Sequence, residues 1–164
     1  MSNIIEVKYK AIGIVHSEFM DKANTPIQGT FAKDAKGTVE IFHEYADGLK
    51  DIQGFSHLIL IYHFHLSSGY SLTSMPFLED KQRGIFSIRH FNRPNPIGLS
   101  IVRLENIEGN LLEIGDVDIL NGTPLLDIKP YVPLFDAKGN AKGGWVDNPY
   151  LDMVRGEAGE HRSE

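Results

Sequence analysis

Stretches in which apolar and polar residues alternate recur along most of this chain, and they predict β-strands. In such a stretch, side chains two positions apart share a face, so one face can pack against a core. The stretches are rich in Val, Ile, Leu, Phe and Tyr, and turns containing Gly or Asn separate them. The predicted strands cover residues 6–16, 37–42, 55–65, 84–88, 97–107, 111–119 and 125–131.

A single amphipathic helix is predicted over residues 44–52, ending near Gly54. Many strands with few helices are typical of an antiparallel barrel or a sandwich, so the fold class is mainly β. Residues 67–83 form a polar loop. After Pro133 the composition shifts toward Gly, Lys and Asn, which predicts a C-terminal tail over residues 137–164 that is at most partly ordered.

Composition and charge narrow the class of protein. At 164 residues the chain is most simply one domain, and without cysteine it has no disulfides or thiolate metal sites. The start lacks an apolar signal segment and no 18 apolar residues run together, so we expect a soluble, cytoplasmic protein. The net charge of −6 argues against indiscriminate nucleic-acid binding. One stretch of the chain is basic and contains Lys81, Arg83, Arg89, His90 and Arg93. Such a stretch can bind one anionic ligand or a small segment of RNA, or it can be a solvated loop with scattered cations.

The remaining motifs of common catalytic sites are absent or weak. His63 and His65 share a strand face and can present two imidazoles to a metal, but no spacing marks a third ligand. His57 has the same parity, so a half-buried polar stripe is favoured and no metal is predicted. Gly-rich phosphate loops and a Gly-x-Ser-x-Gly elbow are missing from the sequence.

Two stiff segments stand out as either site or scaffold. In Arg93-Pro94-Asn95-Pro96 the prolines fix φ and hold the cation and the amide in extended geometry, ordered in advance for binding. In residues 121–131, alternation places Asp127, Lys129 and Tyr131 on one face and Leu126 and Ile128 on the other. If the Asn121-Gly122 turn pairs its flanks, Asp118 and Asp127 lie close together. Tight turns and a surface ion pair explain the same patterns.

The motifs along the chain resemble those of the TsaA/YaeB (TrmO-like) family. The resemblance spans residues 10–136, and it implies a small β-barrel domain over residues 1–136 with one or two short helices, usually dimeric. It further implies S-adenosylmethionine binding without a Rossmann fold, and N6-methylation of threonylcarbamoyladenosine beside a tRNA anticodon. The matching segments are Ile12-Gly13-x-x-x-Ser17, Pro26-x-Gln28, Gly54-Phe55-Ser56-His57-Leu58, Phe64-His65, Gly84-x-Phe86-x-x-Arg89, Arg93-Pro94-Asn95-Pro96-Ile97-Gly98-Leu99-Ser100 and Asp118-Ile119-Leu120-Asn121-Gly122-Thr123-Pro124-x-x-Asp127-Ile128-Lys129-Pro130-Tyr131.

The resemblance also implies a set of cofactor-binding positions. Chemically, Arg89 suits the cofactor's carboxylate, Asp116 or Asp118 its ribose or sulfonium, and Phe31 and Leu99 its apolar surfaces. For methyl transfer, Asp127 is predicted as the general base, with Lys129 and Arg93 holding an anionic part of the substrate. The implied cofactor positions are Gly29, Thr30, Phe31, His65, Leu66, Arg89, Leu99, Gly115, Asp116, Val117 and Asp118.

Departures from the family pattern keep other functions open. Ile27 stands where the family often has Arg, and residues 90–92 read His-Phe-Asn. The resemblance also implies a further C-terminal domain in well-known members, whereas the last motif lies near the end of this sequence. These differences favour cofactor binding over a firm assignment of tRNA as substrate. The alternatives are a binding module or sensor that holds S-adenosylmethionine without transferring its methyl group, and a metal-dependent barrel enzyme built on His63 and His65.

Overall fold

Six strands close into an antiparallel barrel in the computed structural model, which describes residues 5–22, 25, 33–76 and 79–147. The strands are β1 (Gly13–Ser17), β2 (Lys36–Ile41), β3 (His57–His63), β6 (Ile97–Glu108), β7 (Leu111–Gly115) and β8 (Thr123–Pro130). Their order around the barrel is β1-β2-β7-β6-β3-β8, and β8 pairs back with β1. A separate two-stranded hairpin consists of β4 (Thr73–Ser74) and β5 (Arg83–Gly84). The prediction of a mainly β barrel is confirmed.

Alternation along the strands builds the barrel core. In β3, Leu58, Leu60 and Tyr62 point inward and are buried, while the intervening residues are half-buried on the outer wall. Fully burying a Leu or Ile side chain contributes about 1.5–3 kcal/mol. The core also contains Val15, Val39, Ile41, Val102, Leu112, Ile114, Val117, Ile119 and Leu125.

Helical structure is shorter than the sequence predicts. The expected helix over residues 44–52 is instead two 3₁₀ segments, His43–Leu49 and Ile52–Gly54, separated where Asp51 adopts a left-handed φ of 67°. Further 3₁₀ segments span Ile85–Ser87 and Gly144–Asp147, and the short α-helix α1 spans Pro133–Asp136.

Three predicted strands have the wrong bounds. The first begins at Gly13, because β2 ends opposite it at Ile41 and leaves residues 6–11 without a strand partner in the described part of the chain. The strand predicted over residues 111–119 ends at Gly115, since Asp116 takes a φ of 61°. The strand predicted over residues 84–88 is mostly a 3₁₀ turn, in which the Ile85 N–H donates to the Leu72 carbonyl.

Residues 116–122 cross one end of the barrel and are called the closing segment below. This is the end where β1, β3 and β7 finish and β2, β6 and β8 begin. Val117 and Ile119 point into the core and are buried. The Ser17 hydroxyl donates to the Ile119 carbonyl at 2.6 Å and the Gly122 N–H donates to the Val15 carbonyl at 2.8 Å. The closing segment is therefore packed as firmly as a strand.

A β-bulge in β8 shifts its pairing register with β3 by one residue. Tyr62 of β3 pairs with Leu125, but Ile61 pairs with Asp127, so Leu126 is the extra residue. Beyond the bulge Ile128 packs against the core, and Asp127 and Lys129 face outward as predicted. The regular alternation predicted for Leu126 and Ile128 is interrupted at the bulge, and Leu125 is the buried residue before it.

Beyond α1, the chain returns to the body of the molecule. The Trp145 indole N–H donates to the Ser87 carbonyl at 2.8 Å, and the Gly143 N–H donates to the Asp147 carboxylate at 2.6 Å. Residues 148–164 lie outside the described residues, so the predicted tail and its boundary stay predictions. In the described ranges, no helix is long and apolar enough to cross a membrane.

Candidate functional site

A chain of buried hydroxyls reaches the closing segment from inside the barrel. Ser100 of β6 and Tyr62 of β3 occupy inward positions and are each 5% exposed. The Tyr62 hydroxyl lies 2.9 Å from the Ser100 Oγ, and Ser100 in turn donates to the Asp118 Oδ1 at 2.5 Å. An aspartate in the closing segment is thus tied directly to the barrel wall.

Two residues from distant parts of the sequence act on the same hydroxyl. Burial raises the pKa of Tyr62 far above its usual value, and the negative charge of Asp118 raises it further. The hydrogen bond between Tyr62 and Ser100 and the positive charge of Arg89 oppose that rise in the Tyr62 pKa. The structure therefore brings the predicted cofactor residues Arg89 and Asp118 to the same end of the barrel.

Gly98 makes room for Tyr62. The two residues are paired across β6 and β3, and the Tyr62 ring lies over the glycine. A Cβ atom at position 98 would overlap the ring, with the Tyr62 Cζ at 2.5 Å and the Phe64 Cζ at 2.9 Å. The glycine of the Asn-Pro-Ile-Gly motif is therefore explained by packing.

The chain after β3 lies near Phe91, which contacts Lys22 and His90. Lys22 donates to the Leu66 carbonyl at 2.8 Å and lies 4.1 Å from the centre of the Phe91 ring. His90 stacks on Phe91 with ring centres 4.3 Å apart. The His65 Nδ1 lies 3.4 Å from the Thr123 Oγ1. The predicted pair His65 and Leu66 therefore lies close to the positive charge of Lys22.

Arg93 braces the turn that follows Arg89. Its guanidinium donates to the carbonyls of Ile88 at 3.1 Å and His90 at 3.4 Å, and the backbone N–H of Arg93 donates to the Phe91 carbonyl at 3.0 Å. These bonds give Arg93 a structural function, and its predicted contact with substrate stays a prediction.

Asp116 and Asp118 have different surroundings. The Asp116 carboxylate accepts from Arg103 at 3.0 Å and from the Asp34 N–H at 3.1 Å. Arg103 also donates to Glu105 at 3.0 Å, so Asp116 belongs to a lateral ion-pair cluster. A Cβ atom on Gly115 would come within 2.5 Å of Arg103 in the same cluster. Of the two aspartates, Asp118 is the better placed to act beside Arg89.

The predicted catalytic pair lies on the outer wall of the barrel. Asp127 and Lys129 form an ion pair at 2.8 Å, which raises the pKa of Lys129. Asp127 and Leu99 flank Ile61 in one row across three strands, so they are separated by about 10 Å at the usual strand spacing. The hairpin expected at Asn121-Gly122 does not form, because β8 pairs with β1 and β3 rather than with β7.

Several other sequence predictions are narrowed by the structure. Gly29, Thr30 and Phe31 lie outside the described residues. Arg83 donates two hydrogen bonds to Glu79, of 2.7 and 2.8 Å. Its positive charge is therefore paired with a neighbouring carboxylate, which sets it apart from the other cations of the predicted basic stretch. Among residues 5–22, 25, 33–76 and 79–147, no three His, Asp or Glu side chains gather in a way that could hold a metal ion.

The sequence motifs do not single out Tyr62 or Lys22, and they do not reveal that Ser100 binds Asp118. A usable signal was present for two of them. Tyr62 and Ser100 are the polar members of the inward, otherwise apolar sets of their strands, and a polar residue at such a position requires a partner. Lys22 carries no comparable signal, because its contacts depend on how distant loops meet.

We expect the free energy of unfolding to fall as the pH drops from about 7 to 5. Burial, together with nearby cations that include Lys22, lowers the pKa of both His65 and His90. The unfolded chain takes up protons near a pKa of about 6.5 while the folded chain resists, so stability is lost as pH falls through that value.

Urea unfolding at pH 7.5 and 5.5 checks this expectation. The double variant His65→Gln/His90→Gln should show a smaller pH effect than the natural sequence, whereas His43→Gln, which changes an exposed histidine elsewhere, should not. The His16–Glu40 pair is present in every variant and cancels in the comparison. An unchanged pH effect in the double variant would contradict the assignment.

Comparison with known proteins agrees with this architecture. A probable S-adenosyl-L-methionine-binding protein of Pyrococcus abyssi is 54% identical over 139 residues, which cover 85% of this chain and 76% of the relative. A tRNA (adenine(37)-N6)-methyltransferase of Escherichia coli K12 is 30% identical, covering 90% of this chain and 67% of that protein. The crystal structure of TrmO from Pseudomonas aeruginosa superposes with a TM-score of 0.72 at 36% identity, covering 87% of this chain but only 64% of the solved chain. Because the model of the tRNA-methyltransferase O N-terminal domain matches residues 14–137, the chain belongs to the TrmO_N family.

Proposed function

We propose that this protein is an S-adenosyl-L-methionine-dependent tRNA methyltransferase that methylates N6 of threonylcarbamoyladenosine next to the anticodon. The cofactor is S-adenosyl-L-methionine. The observation that carries the proposal is that the charges of Arg89 and Asp118, two implied cofactor residues, both act on the Tyr62 hydroxyl in a member of this family. The names of the relatives support the cofactor and tRNA adenine as substrate.

The barrel end offers complementary groups for each part of the cofactor. Arg89 binds the carboxylate, which is the usual partner of a guanidinium. Asp118 accepts from the ribose hydroxyls or faces the sulfonium, and Leu99, 45% exposed on the outer wall, supplies apolar contact. The segments around Leu66 and Val117 contribute backbone groups, and Gly29–Phe31 complete the proposed set.

In the reaction, the methyl carbon moves from the sulfonium sulfur to the acceptor nitrogen in one in-line displacement. The sulfur keeps the electron pair of the broken bond and becomes neutral, and the nitrogen loses its proton to a base. That nitrogen belongs to a ureido system and is a poor nucleophile, so alignment and proton removal both help. Asp127 is the proposed base, and the Lys129 ammonium lies 2.8 Å from its carboxylate. Arg93 and Lys129 face the anionic threonyl group or phosphates.

Asp127→Asn is expected to lower single-turnover methyl transfer about 100-fold while leaving cofactor affinity within twofold, because general-base catalysis typically contributes about 10²- to 10⁴-fold. The assay measures transfer of labelled methyl to tRNA from a strain that lacks this modification. Lys50→Met, which removes an exposed cation beyond the other end of the barrel, serves as the control. Full single-turnover activity in Asp127→Asn would show that another group takes the proton.

The same assay separates the enzyme from a cofactor-binding module. The Pyrococcus abyssi relative is named only for binding S-adenosyl-L-methionine. Tight binding in calorimetry with no transfer to any tRNA would favour the module, whereas transfer that depends on the modified nucleoside supports the enzyme.

We also propose that the protein is a cytoplasmic homodimer whose subunits meet through the apolar outer surface of β6 and β3. Ile97, Leu99 and Ile101 alternate on the outer side of β6 and are 39–45% exposed. Ile59 and Ile61 of β3 pair with two of them and extend the apolar surface. Such a contiguous outer surface is typical of protein interfaces. Sedimentation equilibrium of the full chain tests the oligomeric state.

A further inference from the structure

We propose that Tyr62 and Ser100 are positioning residues that orient the Asp118 carboxylate for cofactor binding. The inference rests on the proposed use of S-adenosyl-L-methionine. Both hydroxyls are buried inside the barrel, so they act on the cofactor through the Asp118 carboxylate and not by direct contact. None of the family motifs accounts for the hydroxyl of Tyr62.

The direction of the hydrogen bonds follows from chemistry. An ionised carboxylate only accepts, so the Ser100 hydroxyl donates its single proton to the Asp118 Oδ1. The Ser100 oxygen is then an acceptor, and the Tyr62 hydroxyl donates to it. Because the pKa of Tyr62 is raised by burial, the phenol keeps its proton across the working pH range. The chain therefore runs in one direction, from Tyr62 through Ser100 to Asp118.

The surrounding packing makes the chain rigid. Ser100 and Tyr62 stand on adjacent strands, where Ser100 pairs with Leu60 and Tyr62 with Gly98. Asp118 is flanked by Val117 and Ile119, which are anchored in the core. The donor to the carboxylate is thus fixed on a strand, and strands hold such groups more accurately than loops do. Cofactor binding then requires no search for the carboxylate's orientation.

A purely structural function of the two hydroxyls predicts a different result. Removing Ser100 alone leaves the buried Tyr62 hydroxyl without a partner, which destabilises any protein. Removing both hydroxyls together leaves no buried hydroxyl unpaired, and the Asp118 carboxylate, which is only partly buried, can accept from water instead of Ser100. The double change can therefore be nearly neutral for stability. The double variant Tyr62→Phe/Ser100→Ala therefore tests orientation of Asp118 separately from folding.

The experiment measures the dissociation constant of S-adenosyl-L-methionine by calorimetry and the unfolding midpoint of the same samples. Tyr62→Phe/Ser100→Ala should bind about tenfold more weakly while its unfolding midpoint stays near that of the natural sequence. Adding both changes to Asp118→Ala should cause no further loss, because no carboxylate remains to be oriented. Tyr45→Phe, on the 3₁₀ segment beyond the other end of the barrel, is the matched control.

The outcomes are separable. Binding by the double variant within twofold of the natural sequence overturns the inference, as does a further tenfold loss in the Asp118→Ala background. Failure of the unaltered protein to bind S-adenosyl-L-methionine overturns the proposed function instead.

Discussion

Asp118→Asn is expected to weaken S-adenosyl-L-methionine binding about 100-fold, equivalent to about 2.7 kcal/mol. Asparagine keeps the size of the side chain and can still accept the proton of Ser100. What it loses is the negative charge of Asp118, which either complements the sulfonium or accepts strongly from the ribose. Hydrogen bonds to charged groups are worth about 1.5–3 kcal/mol, which sets the size of the effect.

Calorimetry on purified protein measures this loss directly. Asp47→Asn makes the same chemical change at an exposed position on the 3₁₀ segment at the other end of the barrel, and it should bind the cofactor normally. If Asp118→Asn and Asp47→Asn bind equally well, Asp118 has no part in the cofactor site and Asp116 becomes the candidate.

Gly98→Ala is expected to destabilise the protein by about 3 kcal/mol and to lower its unfolding midpoint by about 10 °C. The added methyl group overlaps the Tyr62 ring, which is enclosed by the barrel and has no open side to move into. Any ring movement that relieves the overlap also pulls the phenol away from Ser100. Cofactor affinity should therefore fall together with stability.

Thermal unfolding compares this variant with Gly48→Ala, whose new methyl group would meet no atom within 4 Å. The control should change stability by less than about 1 kcal/mol. Tyr62→Leu in the Gly98→Ala background removes the overlapping ring and should restore part of the lost stability. A Gly98→Ala protein as stable as the control would contradict the packing argument.

The sequence predicts the kind of fold better than its boundaries. Alternation in β3 and β6 marks their inner and outer faces correctly, because each strand has one face on the core. Residues 6–11 have the same strand-like composition, yet they have no strand partner among the described residues. Pairing depends on residues far along the chain. For the same reason the extra residue Leu126, which exists only relative to β3, could not be predicted.

The candidate site shows a similar division. Arg89 and Asp118 are implied by motifs, but their proximity emerges only when the closing segment crosses the barrel. The sequence gives Asp116 and Asp118 equal standing. Arg103, thirteen residues before Asp116, engages one of them and leaves the other to Ser100. Contacts between residues that are distant in the sequence thus determine which of the two aspartates can take part in the site.

Closure of the barrel has a consequence for how the protein is made. The pairing of β1 with β8 joins Gly13 to Leu125, near opposite ends of the family domain. During synthesis, β1 can pair with β2 early, but it cannot pair with its second neighbour, β8, until β8 has left the ribosome. Contacts so distant in sequence make folding slow, and β1 has an unpaired edge until they form. The barrel can therefore close only once the segment after Asn121-Gly122 has emerged.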